Sequence, residues 1–186
     1  MRISLVSERY AKALFELAVE RKLEDAIYSD ALELVSVCQE NKLFVLVLKS
    51  PVISEEKKEK ILNDLFENRF NVITMKFLEI LVRKNREVYI PEIARKLIML
   101  YKEYKKILPV VLTTAIPMTE AIRNRAVTIM KNYTKWQIEL VQKVDPEIIG
   151  GFILNWSDMQ YDASIYYQIE RMRRGSARIN LYKKGF

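Results

Sequence analysis

The sequence predicts an all-α six-helix N-terminal bundle followed by a small α+β C-terminal domain. Three observations carry this. Up to about residue 106, apolar side chains recur at helical spacing in blocks separated by capping or breaking residues. From Pro109 onward, short β-branched runs and period-two alternation replace that pattern. Finally, Gly150 and Gly151 open an apolar run, Phe152 to Trp156, followed by turn chemistry at Ser157-Asp158, a return strand from Met159 to Tyr161, and a helix. The predicted domains are residues 1–106 and 107–186.

The elements follow in order. Ser7 is the expected cap of a first helix whose stripe is Tyr10, Ala13, Leu14, Leu17 and Ala18. Ala11 and Ala13 keep part of that surface shallow enough for another helix to approach. A second helix from about Glu24 buries Ile27, Ala31, Leu34, Val35 and Cys38, and Asn41 breaks it. A short piece, Leu43 to Lys49, stops at Ser50-Pro51, because a residue before proline is pushed out of the α region. Ser54 is the candidate cap of a fourth helix whose stripe is Ile61, Leu62, Leu65 and Phe66, and its run of Glu and Lys at 55–60 is a wet face. Asn71 starts a fifth, carrying Phe77, Leu78, Ile80 and Leu81, with Arg83-Lys84 at its negative end. After a break at Asn85, a long helix reaches about Ile107, with Pro91 tolerated in its first turn.

The second part reads strand, helix, strand, strand, strand, helix. Val110 to Thr114 is a strand ended by Pro117, and Thr119 caps a helix carrying Ala121, Ile122, Ala126, Ile129 and Met130. Trp136 to Val144 alternates like a half-buried strand and closes at Asp145-Pro146. Asp162 or Ser164 caps the last helix, which carries Ile165, Ile169 and Met172.

Composition narrows the function classes. Half of the 186 residues are hydrophobic, enough for a buried core, yet no apolar run approaches a membrane span. The N-terminus lacks the apolar core and cleavage site of a signal peptide, so a soluble chain is expected. There is no histidine, which removes the commonest general base and histidine metal sites. The single cysteine, Cys38, sits among apolar helical positions and reads as a small core residue. Carboxylates are scattered along amphipathic faces, so no catalytic, cofactor or metal site is expected. The glycine pair precedes a strand, whereas phosphate loops follow one, and neither the Walker pattern nor GxGxxG is present. Its expected role is close backbone approach. The net charge of +7 favours an acidic partner, and basic residues gather at Arg171, Arg173, Arg174, Arg178, Lys183 and Lys184. That tail reads as a solvated, partly frayed end or an electrostatic contact.

Five segments point further: Arg9 to Phe15, Ser50-Pro51-Val52-Ile53, Phe77-Leu78 through Asn85-Arg86-Glu87, Thr113 to Pro117, and Val144-Asp145-Pro146 through Asp162-Ala163-Ser164-Ile165. With them the chain resembles the delta-subunit family of bacterial F-type ATP synthases, relatives of the mitochondrial oligomycin-sensitivity-conferring protein. The last segment is the most specific. The resemblance implies a non-catalytic stator subunit with no cofactor, joining the crown of the catalytic head to the peripheral stalk. It implies a groove between the first and fifth helices for the N-terminal segment of an alpha subunit. Carried onto this chain, the walls are Tyr10, Ala11 and Leu14 on one side and Phe77, Leu78 and Leu81 on the other. The C-terminal domain would hold the b subunits, with Asp145, Pro146, Gly150, Gly151, Asp162 and Ser164 as structural motif residues. One copy per complex is implied, attached indirectly at the cytoplasmic face of the bacterial plasma membrane, with no nucleic-acid partner. Asn85-Arg86 either fixes the groove end or caps helices. The tail after Arg174 matches no family motif.

A rival reading, a basic helical nucleic-acid-binding domain, rests on net charge and a pI near 9.4. It lacks an RNA motif, and its aromatics sit on apolar stripes rather than among basic residues.

Overall fold

The computed structural model describes residues 5–173 and the backbone of 181–183. The chain divides into two compact units, Met1–Tyr104 and Lys105–Phe186. The first holds α1 (Leu5–Glu20), α2 (Glu24–Glu40), α3 (Lys42–Lys49), α4 (Glu55–Phe66), α5 (Val72–Arg83), a 3-10 turn at Glu87–Tyr89, and α6 (Ile90–Tyr104).

α6 is the hub of this unit. Ile90, Ile93, Ala94 and Leu97 are buried on it, spaced to form one stripe, and α1 and α2 both pack along it. Ala11 and Ala18 of α1 are fully buried, since a methyl group lets two helix backbones approach. Phe44, Phe66 and Phe70 close the base of the core, with Phe66 stacked on Phe70 at 4.4 Å between ring centres.

Three buried polar ties fix how the helices meet. Ser7 is expected to cap α1 but lies inside it, fully buried, and its hydroxyl donates to Glu92 of α6 at 3.0 Å. Asp30 of α2 accepts from the Asn71 N–H at 3.0 Å and from the Thr74 hydroxyl at 2.5 Å, so one helix fixes the start of another. Lys58 of α4 donates to Glu87 at 2.6 Å with both side chains about 5% exposed. Each tie satisfies groups that would otherwise be buried without partners.

Local chemistry ends the helices. Asn41 and Asn71 cap α3 and α5 through side-chain oxygens that accept from Phe44 and Ile73 N–H groups. Ser54 occupies the N-cap position of α4, but its side chain makes no capping hydrogen bond. α5 ends in a Schellman turn: Asn85 takes φ 55°, its N–H donates to the Val82 carbonyl, and the Arg86 N–H donates to Leu81 at 2.8 Å. Asn85 thus caps a helix, which resolves one of its two expected roles. Lys22 does the same for α1, with Leu23 N–H donating to Ala18.

The second unit is a five-stranded sheet in the order β2-β1-β3-β4-β5, formed by β1 (Ile107–Thr114), β2 (Gln137–Val144), β3 (Phe152–Trp156), β4 (Met159–Asp162) and β5 (Leu181–Lys183). β2 runs parallel to β1 and the other neighbours are antiparallel. A parallel pair needs a crossover, and α7 (Glu120–Lys131) supplies it, capped by Thr119. Ala126 and Met130 of α7 lie on Val110, Leu112, Phe152 and Leu154 to form the core. α8 (Ile165–Arg173) follows β4. Sequence periodicity did not predict β5, which falls in the tail read as frayed and adds a fifth strand to the sheet.

Removing one member of the α4–turn ion pair isolates the other in a low-dielectric site. Lys58→Ala is expected to cost about 3–5 kcal/mol in urea unfolding, and Lys58→Met with Glu87→Leu far less. Cys38 supplies a second check. Burial pushes its thiol up to about 11 despite the lowering effect of Arg95. The thiolate is the reacting form, so alkylation near pH 8 is expected to run roughly a hundredfold slower in the folded chain than in urea.

Candidate functional site

Two surfaces stand out, one in each unit. The first lies between α1 and α5. α1 packs chiefly on α6, and α5 packs chiefly on α4, so the two helices flank a seam instead of closing on each other. Tyr10 and Phe77 bridge it edge to face, their ring centres 6.3 Å apart. Beneath lies a void of about 20 Å³, lined among others by Leu14, Leu34, Phe77, Leu78 and Leu81. It is large enough for one water but apolar.

The six expected wall residues fall into two groups. Ala11, Leu14, Leu78 and Leu81 are buried in the bundle core. Tyr10 and Phe77 are half-buried and reach the seam. The inward-facing stripe had to be filled first, so most of the strongest apolar periodicity marks core and not surface. Side chains that offer apolar area outside lie one or two helical turns away: Leu17 is 37% exposed and Ile80 is 50% exposed. Leu17 follows Tyr10 by seven residues and Ile80 follows Phe77 by three, so each lies on the flank of its seam residue. Periodicity alone did not separate them from the core; the signal was the second, shallower apolar ridge beside the main stripe.

The second surface surrounds the glycine pair. Asp145 accepts from the Glu147 N–H at 3.1 Å, forming a turn with Pro146 at the start of the short 3-10 segment. Asp162, buried, accepts from the Ser164 N–H at 2.8 Å, and the Ser164 hydroxyl oxygen accepts from the Tyr167 N–H at 3.1 Å to cap α8. Gly150 carbonyl accepts from the Ile165 N–H at 2.9 Å. Gly151 has φ 76°, and a Cβ there would sit 2.2 Å from the Ala163 carbonyl oxygen. So the loop before β3 and the start of α8 lie backbone to backbone, and these motif residues build the loop and position α8.

A groove of about 500 Å³ opens at this junction. Ile116, Ile122, Ile149 and Ile165 supply apolar walls, and Arg125 and Gln168 the polar rim. Arg125 lies 5.8 Å from the centre of the Phe152 ring, a cation–π distance. α8 buries none of its residues; Ile165, Ile169 and Met172, at i, i+4 and i+7, form an exposed apolar stripe continuing from the groove. Charge is uneven as well. Lys105–Phe186 contains 13 Lys and Arg against 7 Asp and Glu, net +6, and Met1–Tyr104 contains 18 against 17, net +1.

Among the described residues no cluster of His, Cys, Asp or Glu could hold a metal ion, and no helix is long and apolar enough to cross a membrane. Neither surface gathers the nucleophile, base and oxyanion donors of a reaction centre. Each unit presents an apolar surface among its described residues, the kind of surface that other proteins cover. The chain matches the ATP synthase delta (OSCP) subunit family over residues 6–175 and belongs to it. It is therefore a stator component of an F-type ATP synthase, a membrane-associated complex, and not an enzyme by itself. It is 34% identical to ATP synthase subunit delta of Cytophaga hutchinsonii, covering 93% of this chain and 94% of that one. It is 32% identical to subunit delta of Desulfitobacterium hafniense over 91% of this chain and 94% of the relative. In fold it is similar to a chain of the Toxoplasma gondii mitochondrial ATP synthase hexamer, with a TM-score of 0.71 at 20% identity, covering 92% of this chain and 97% of that one.

The glycines separate cleanly by mutation. Gly151→Ala must move a backbone carbonyl and strain φ, and is expected to cost about 3 kcal/mol or more. Gly150→Ala meets only the Cδ1 end of Ile165, at 2.7 Å, and is expected to cost about 1 kcal/mol. Guanidinium melts of the two full-length variants provide the comparison.

Proposed function

We propose that this chain holds the head of its ATP synthase to the peripheral stalk by gripping different partners with its two units. The helical unit, as the family's six-helix bundle spanning residues 1–106, takes the N-terminal segment of an alpha subunit into the α1–α5 seam. The C-terminal unit, residues 107–186, takes the ends of the b subunits. One copy serves each complex, at the cytoplasmic face of the bacterial plasma membrane, attached only through its partners.

The observation that carries the first assignment is the seam itself. Two helices that flank a gap, bridged by Tyr10 and Phe77 and edged by exposed Leu17 and Ile80, offer the apolar anchors that helix-in-groove recognition needs. Ala11, Leu14, Leu78 and Leu81 act from below, as the floor that sets the spacing of the walls. A stator junction needs slow release under load. Two contacts held on one subunit supply it, because the second forms at high effective concentration once the first is made.

Calorimetric titration of the full chain with a peptide from the cognate alpha-subunit N-terminus tests this reading. One-to-one binding is expected, weakened at least about tenfold (1.4 kcal/mol) by Leu17→Asp or Ile80→Asp with no change in melting temperature. Leu81→Asp is unsuitable for the purpose, since Leu81 is fully buried and a charge there unfolds the unit. No binding by the folded wild-type chain would refute the groove assignment.

A further inference from the structure

We infer that Ile149 is a strained anchor residue in the C-terminal groove, held in an unfavourable backbone conformation so that its side chain meets an acidic, apolar-faced helix of the peripheral stalk. This rests on the reading that the C-terminal unit grips that stalk.

Ile149 has φ 66° and ψ −42°. A β-branched residue at positive φ crowds its own carbonyl and is costly; glycine adopts it freely. Two glycines follow immediately, yet Gly150 has no positive φ and the Ile carries it. The conformation closes a tight turn, with the Gly150 N–H donating to the Ile148 carbonyl at 2.7 Å, but the Ile149 side chain gains little burial from it and is 60% exposed. Backbone strain that does not serve the core persists at binding clamps, where it presets a side chain. The loop is pinned on both sides: Ile149 N–H donates to the Pro146 carbonyl at 3.1 Å, and the Gly150 carbonyl accepts from Ile165. Ile149 therefore cannot relax without disturbing the start of α8.

Its surroundings define the occupant. Ile116 and Ile165 are 59% and 43% exposed on the same groove, and the α8 stripe extends it to Ile169 and Met172. From Ile165 to Met172 the stripe spans roughly 10 Å, about two turns of a partner helix. A soluble chain rarely leaves so much contiguous aliphatic surface uncovered without a partner. The unit's net charge of +6, with Arg125 as the charged member of the groove lining, selects an occupant that is apolar on one face and carboxylate-bearing at its edge. A basic or neutral helix would meet the same aliphatic walls with no charge partner.

The experiment uses the full chain and a soluble fragment of the cognate b subunit that includes its C-terminus. Ile149→Gly is expected to stabilise the second unit, read as slower hydrogen exchange at Leu112 and Leu154, while weakening fragment binding at least tenfold. Arg125→Glu is expected to weaken binding by a similar factor and to reduce its salt dependence, the unit's net charge falling to +4. Opposite signs for stability and affinity are the signature of an anchor. If Ile149→Gly destabilises the unit, the conformation is structural and the inference fails. Unchanged affinity in both variants overturns it as well, as does self-association of the wild-type chain that Ile149→Gly abolishes. A folded wild-type chain that does not bind the fragment at all defeats the underlying stalk reading instead.

Discussion

The helical unit depends on how the chain enters α6. That helix carries the stripe on which α1 and α2 rest, so its position decides theirs. Its entry is set by two coupled constraints. The Schellman turn at Asn85 ends α5 and reverses the chain. One residue after Arg86, Glu87 is buried against Lys58 at 2.6 Å, and its second carboxylate oxygen has no partner. A lone buried carboxylate is so costly that α4 must sit where its lysine can reach. The pair contributes little net stability by itself, but it excludes arrangements in which α4 slides along the bundle. Asp30 plays the same part for α5, holding the Asn71 N–H and the Thr74 hydroxyl.

Much of this was legible in the sequence because helices of this kind announce themselves through caps and stripes. Asn41, Asn71 and Thr119 do what residue type and position predict. Ser7 and Ser54 look equally good and do otherwise: Ser7 points into the core toward Glu92, and Ser54 leaves its oxygen to solvent-side geometry. A serine signals the capacity to bond, and tertiary packing decides the partner. The parallel pairing of β1 with β2 was not legible, because register and direction depend on where α7 returns the chain. β5 escaped for a different reason: three residues of backbone pairing at an edge need no periodic pattern.

The candidate surfaces were harder to see than the fold. A stripe in a sequence reports that one side of a helix is apolar without saying whether the chain itself covers it. In α1 and α5 the chain does, and the outward-facing Leu17 and Ile80 looked like minor members of the same pattern. In α8 the chain does not, and a stripe indistinguishable in sequence from a core face stays open. The motif glycines show the reverse case. Gly151 is fixed by contact with a backbone carbonyl, so its signal is strong although it touches no partner.

The open α8 stripe has a consequence for the life of the subunit before assembly. A copy made without partners exposes Ile165, Ile169 and Met172 together with the isoleucines of the groove, the kind of surface that chaperones and proteases recognise and that drives nonspecific association. With the stalk seated on this face as proposed, surplus copies would be marked for removal by the same side chains that assembled copies hide. On that reading the fold would couple the lifetime of the subunit to its incorporation, and a matched supply of partners would become a condition for its accumulation.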